Sequence, residues 1–208
     1  MLITFSGLDG SGKTTLVGLL QASLARRDVR ATVSHMYRDV GVYAMGKALA
    51  RRLGRGAKPK SVLPARRESA PGVIWNRSLR LLVYPLDLLI FACYRLYVEG
   101  LKRHVLIMDR YFYDTLVDVS FRQGRSRAAS LLSRLTPAPS VAVLLDISPA
   151  AAYARKGEHD VQFLERKRAA YRAVFPDGGR GLVLEADGDV DETLRAVESA
   201  IRERMGAR

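Results

Sequence analysis

The stretch Gly7-Leu-Asp-Gly-Ser-Gly-Lys-Thr14 carries the most specific chemistry in the chain. It fits the pattern G-x4-G-K-S/T, follows the apolar run Leu2-Ile3-Thr4-Phe5 and precedes a helical pattern that starts near Lys13. Glycines at this spacing let the backbone curl so that successive N–H groups converge on phosphate oxygens, and the positive end of the following helix adds to them. Lys13 is placed to neutralise β- and γ-phosphates, and the Thr14 hydroxyl to ligate Mg²⁺. A chance glycine-rich turn seldom meets all of these constraints together.

A second cluster, His104-Val-Leu-Ile-Met-Asp-Arg-Tyr111, is an apolar run ending in an acid, a base and an aromatic. A carboxylate there can hold a metal-bound water or take a proton, and an arginine beside it can fork onto a phosphate. Alone, Asp109-Arg110 reads as a surface ion pair. Beside a phosphate-cradling loop it reads as part of a site.

Other candidates meet plainer readings. His35, His104 and His159 lack ligand spacing, which argues against a histidine metal centre. Asp87, alone in an apolar stretch, belongs on a polar edge or beside an arginine. Tyr84, Phe91, Tyr94 and Tyr97 recur at helical spacing and are expected in the core, as is Cys93, read as a buried, inert thiol. Asp114 and Asp118 share one face of a helix, where an acceptor-side or metal-side role competes with a structural one.

These groups need a scaffold at strand ends. Five short apolar runs read as strands: Leu2–Ser6, Val29–Met36, Val105–Asp109, Val141–Ile147 and Gly181–Glu185. Helical patterns cover Lys13–Arg26, Trp75–Arg103, Phe112–Gln123, Pro149–Arg155, Val161–Phe175 and Val190–Met205. Alternating strand and helix, with continuously apolar strands, predicts an α/β fold. Its mainly parallel five-stranded sheet is covered by helices on both faces, with ligands at the carboxyl ends of the strands.

The length of 208 residues suits one domain, and the formal charge of +13 suits a polyanionic partner. From Arg51 to Arg80 nine basic side chains stand against one acidic, Glu68, in what reads as a basic insertion, irregular over Gly54–Gly72. The plainer reading of that stretch is a solvated basic loop. Leu81–Tyr94 is apolar but interrupted by Pro85 and Asp87, and too short to span a membrane. No export signal is read at the N-terminus and no disulfide framework exists, so a reducing, cytoplasmic setting is expected.

Taken in order, GLDGSGKTT, Asp109-Arg110-Tyr111 and the run from Leu144 to Tyr171, LLDISPAAAYARKGEHDVQFLERKRAAY, resemble the thymidylate kinase family. The resemblance implies a P-loop nucleoside monophosphate kinase domain over 1–208, use of ATP and Mg²⁺, and a place in nucleotide biosynthesis. The γ-phosphate would pass to an acceptor monophosphate, dTMP by default, and a homodimer is common in the family. It assigns Gly7, Gly10, Ser11, Gly12, Lys13, Thr14 and Thr15 to the ATP phosphates and Asp9 to the acceptor. Asp109 falls near the metal, Arg110 on the acceptor phosphate and Arg155 on the adenine.

The departures lie on the acceptor side and in the lid. Where the family has Arg-Glu-Pro-Gly, the chain reads His35-Met-Tyr-Arg-Asp-Val-Gly41, leaving Arg38 to take the arginine's part. Beside Tyr111, Asp114 stands where the family has a serine, so both are acceptor-side candidates. The lid, about 155–163, has Arg155 and Lys156 but lacks the family's set of arginines. A pocket that has lost its base-reading groups leaves the acceptor open, including phosphorylated or sugar-like alternatives. A nucleotide-dependent protein docking on nucleic acid or an anionic membrane through the basic stretch is the competing class.

Overall fold

The computed structural model describes residues 1–36, 38–42, 44–46, 49, 70–123, 132–175 and 181–206. The chain divides into two compact units, one formed by Met1–Met36 with Arg95–Arg208 and the other by Tyr37–Tyr94.

The first unit is an α/β fold of the P-loop NTPase type. Its strands are β1 (Leu2–Gly7), β2 (Ala31–His35), β3 (Val105–Asp109), β4 (Val141–Asp146) and β5 (Gly181–Glu185). They form one parallel sheet in the order β2-β3-β1-β4-β5. β1 lies between β3 and β4, so the chain leaves it first toward one edge and later toward the other. In open parallel α/β sheets ligands bind at such a reversal, and the Gly7–Thr14 loop follows β1 there.

The described helices include α1 (Lys13–Ala25), α2 (Ala70–Arg95), α3 (Phe112–Gln123), α4 (Pro149–Lys156), α5 (Val161–Val174) and α6 (Val190–Gly206). Alternation along β1 sorts its side chains. Ile3 and Phe5 are fully buried in a core with Leu16, Val17, Leu20 and Leu24 of α1 and Val197 and Ile201 of α6. Such burial contributes roughly 1.5–3 kcal/mol per large apolar side chain. Thr4 and Ser6 face the opposite side, toward the layer of α3 and α5. That side is polar at its centre.

In the second unit Asp87 is buried and accepts the backbone N–H of Val42 at 2.7 Å. Gly41 approaches it so closely, at φ +108°, that a Cβ would sit 2.7 Å from the carboxylate. Tyr84 and Phe91 are buried as expected, whereas Tyr97, in the first unit, is 46% exposed. Cys93 is exposed, correcting its reading as a buried thiol. Two positions beyond Phe91 are about 200° of helix, so both cannot face inward.

α2 begins at Ala70, so Gly72 is helical rather than part of an irregular insertion. Residues 51–69 lie outside the described ones. After Arg95 the helix widens into a π segment, Leu96–Leu101, and ends before Arg103, which turns at φ +55°. β2 is shorter than the apolar pattern, since pairing with β3 runs only from Ala31 to His35. Among the described residues no helix is long and apolar enough to cross a membrane.

Candidate active site

The loop after β1 has the backbone its glycines require. Gly7, Gly10 and Gly12 all have positive φ, and a Cβ on Gly7 would lie 2.5 Å from the carbonyl oxygen of Leu145 on β4. Only glycine lets the loop lie that close to the neighbouring strand. Gly12 caps α1 in the left-handed region with no side-chain cap. The first amides of α1, including Thr14 and Thr15, therefore point toward the loop with the helix dipole behind them.

Lys13 is buried beneath this loop. Its ammonium donates to the carbonyls of Gly7 (2.9 Å) and Leu8 (2.6 Å) and to Ser11 Oγ (3.2 Å). Burial, followed by repulsion from Arg110, pushes its pKa down to about 8. The loop thus encloses a lysine whose charge is costly where it is buried.

Beside Lys13, Thr14 Oγ1 donates to Asp109 Oδ2 at 2.8 Å across the gap between α1 and β3. Immediately after Asp109 the chain turns at Arg110, a non-glycine residue at φ +68°. That conformation costs roughly 1–3 kcal/mol and persists only where surroundings over-determine it. Here the Arg110 N–H donates to the Phe5 carbonyl at 3.0 Å, and its guanidinium is ion-paired with Asp9 and 3.8 Å from Asp114. Burial pushes the Asp9 carboxyl up, but Arg110, Lys13 and the more distant Lys156 and Lys167 outweigh it, and the net shift is down. Arg110 itself is held above its usual range, because Asp114 and Asp9 outweigh its own burial.

Asp114 has only 4% of its surface exposed. Oδ2 accepts from Ser6 Oγ (2.9 Å) and the Tyr111 N–H (2.9 Å), and Oδ1 from the Tyr171 hydroxyl (2.8 Å). Burial first, and then the Asp114 charge and hydrogen bond, push the Tyr171 hydroxyl well above its usual value. Tyr111 is fully buried, with its hydroxyl on the Pro137 carbonyl at 2.6 Å. Asp118, one turn along α3, pairs with Lys167 of α5 at 3.2 Å.

On the far side of the loop, Arg155 of α4 donates to the carbonyls of Gly10 and Ala186, each at 3.3 Å. It links the phosphate loop to the segment after β5. Between α4 and α5 the lid region is a short turn: Gly157 closes α4 at φ +64°, and Asp160 caps α5 by accepting from Phe163 N at 2.7 Å. The structure therefore brings together Asp9, Ser11, Lys13, Thr14, Asp109, Arg110, Asp114 and Arg155. Arg38 lies in the second unit, where it pairs with Asp39 at 3.1 Å.

One charge cluster, built on a buried carboxylate, escaped the sequence reading. Asp146, last residue of β4, receives Arg168 Nε at 2.5 Å and Arg172 Nε at 3.0 Å, and each arginine adds a second bond from its NH2. Burial pushes its carboxyl up, and the two arginines more than reverse this, leaving it below its usual value. The available signals were an acid ending an apolar strand, as at Asp109, and two arginines one helical turn apart. Among the described residues no group of histidine, cysteine and acidic side chains forms a ready metal cluster.

No family model matches the chain. Comparison with curated proteins does find relatives: thymidylate kinases of Xanthomonas campestris pv. campestris, among them those of strains B100 and 8004. Each is 27% identical over an alignment of 225 positions that covers all of this chain and 88% of the relative. The chain is thus similar along its whole length, at a distant level, to proteins named as thymidylate kinases.

Proposed function

We propose that the protein is a thymidylate-kinase-like phosphotransferase, moving the γ-phosphate of ATP to a nucleoside monophosphate, with dTMP as the first acceptor to test. One observation carries the reading: Lys13 and Thr14 sit at the loop after β1 while Arg110, at the end of β3, reaches back to Asp9 in that loop. Donor-side and acceptor-side cations are thus built on adjacent parallel strands. The full-length similarity to thymidylate kinases supports the same reading.

The residues suit ATP and Mg²⁺. The loop's positive-φ glycines make a concavity of N–H groups, and Lys13 lies beneath it with three donors to redirect. Thr14 Oγ1 and Asp109 Oδ2 are hard oxygen ligands 2.8 Å apart, the donor chemistry that Mg²⁺ takes. When bound, the metal neutralises charge on the transferring phosphate and aligns it. Lys13 holds the β- and γ-phosphates, and Arg110 draws the acceptor phosphate toward the loop. Asp9 orients Arg110 and accepts a hydrogen bond from the acceptor, and Arg155 packs at the donor end. Transfer asks the protein for positioning and charge rather than covalent chemistry, and these residues supply both.

The test is ADP release from ATP and Mg²⁺ with dTMP, dUMP, other nucleoside monophosphates and sugar phosphates. At least one acceptor should raise release well above water hydrolysis. A flat panel would overturn the reading.

A further inference from the structure

Asp114 is bonded beyond what a helix cap needs. One contact, from the Tyr111 N–H, satisfies the first turn of α3 and would be met by a neutral oxygen. A carboxylate offers about four lone-pair positions. Three are filled by Tyr111 N–H, Ser6 Oγ from β1 and the Tyr171 hydroxyl from α5, and the oxygen that accepts from Tyr171 also faces Arg110 NH1 at 3.8 Å. Ser6 and Tyr171, donating from two different elements, leave the carboxylate no freedom to rotate.

Arg110 therefore has two unlike carboxylate partners. The Asp9 side chain is 22% exposed on the phosphate loop, where an incoming anion competes with it. The Asp114 side chain is 5% exposed and fixed by three donors. A guanidinium has five N–H donors in a planar fork, so one edge can stay against Asp114 while the other turns from Asp9 to a phosphate. At 3.8 Å the contact is beyond hydrogen-bond distance, so it depends mainly on the carboxylate's charge.

We propose that Asp114 is the positioning residue for Arg110, holding one edge of its guanidinium so that the other meets the acceptor's phosphate, with Ser6 and Tyr171 fixing the carboxylate. The assignment rests on the phosphotransferase reading above. It makes the anchor of the acceptor-side cation continuous with α5, the helix that follows the lid.

The experiment compares Asp114→Asn, Ser6→Ala and Tyr171→Phe in the full chain. Asp114→Asn keeps the shape and removes the charge. It should raise the acceptor KM by about tenfold or more while the ATP KM stays within about twofold, since displacement of a positioning group costs up to ~10²-fold. Tyr171→Phe and Ser6→Ala should shift the acceptor KM a fewfold in the same direction. In the Asp114→Asn background Tyr171→Phe should add nothing, as expected of residues acting through one another.

Side-chain NMR of the ¹⁵N-labelled protein, with the Arg110 Nε–H assigned by its loss in Arg110→Lys, reads the hold without turnover. The signal should be sharp in the wild type and in Tyr171→Phe, and exchange-broadened in Asp114→Asn. An active wild type whose Asp114→Asn variant keeps its acceptor KM and loses only thermal stability would overturn the assignment. So would an unchanged Arg110 signal. If the wild type phosphorylates no acceptor, the phosphotransferase reading fails and the Arg110 signal alone decides this one. Should Asp114→Asn not fold, the acceptor KM in Ser6→Ala and Tyr171→Phe decides it: a fewfold rise with the ATP KM unchanged supports the assignment, and an unchanged acceptor KM overturns it.

Discussion

The strands on either side of β1 end in mirror-image charge clusters. At the end of β3 one guanidinium, Arg110, stands between two carboxylates, Asp9 and Asp114. At the end of β4 one carboxylate, Asp146, stands between two guanidinium groups, Arg168 and Arg172. The central group decides what remains available. Arg110 has more donors than its partners use and is open to a further anion. Asp146 already accepts four donors from two arginines, one on Oδ1 and three on Oδ2. The first cluster is suited to binding and the second to fastening α5 onto the sheet.

The largest expected effect lies on the binding side. Lys13→Ala should lower kcat by ~10²-fold or more, through loss of a main charge stabiliser. The Tm should change by only a few degrees, because relief of the buried charge offsets loss of its three hydrogen bonds. Steady-state kinetics with thermal melts check this, and wild-type turnover by the variant would remove Lys13 from the chemistry.

The opposite signature is expected at β4. Asp146→Ala should lower stability by about 1–3 kcal/mol, with solvent exposure of the arginines limiting the loss. That is a fall of roughly 2–12 °C in Tm for a chain of this size, with kcat/KM within twofold of wild type. The carboxyl is held below its ordinary value of 3.8. Its contribution is therefore present above that value and lost as the pH falls through the folded one, so the two melting temperatures should converge in acid. A kinetic defect without a stability defect would invert the comparison.

Titration sharpens the contrast further. Free Lys13 loses its proton near pH 8, so kcat/KM for ATP should fall about tenfold per pH unit above that point. With phosphate bound the ammonium is favoured, and kcat should break at a higher pH. A profile flat to pH 9.5 would contradict the assignment. The smallest effect is expected for Arg172→Ala: its side chain is 57% exposed and Arg168 keeps hold of Asp146, so the loss should be about 0–1 kcal/mol, read from denaturant midpoints.

The sheet was legible because buried parallel strands are continuous apolar runs, and all five appear, with β3 and β5 at their expected bounds. The phosphate loop was legible because its glycines, Lys13 and Thr14 act through local backbone geometry. The Thr14–Asp109 bond, 95 positions apart in sequence, was legible only as one residue at the start of the helix after β1 and one at the end of β3, which parallel pairing of β1 and β3 would bring together. Cys93 was misread because an apolar run has no marker of which face turns inward. The roles of Arg38 and the basic 51–80 stretch remain expectations from sequence.

By itself the sequence determined the elements, their alternation and the glycine-rich loop Gly7–Thr14, since each rests on interactions among residues close in the chain. The tertiary structure decided which polar groups meet: Arg110 with Asp9 and Asp114, Tyr171 with Asp114, and Arg168 and Arg172 with Asp146. An ion pair depends on distance and burial, and neither exists until strands from opposite ends of the chain lie side by side.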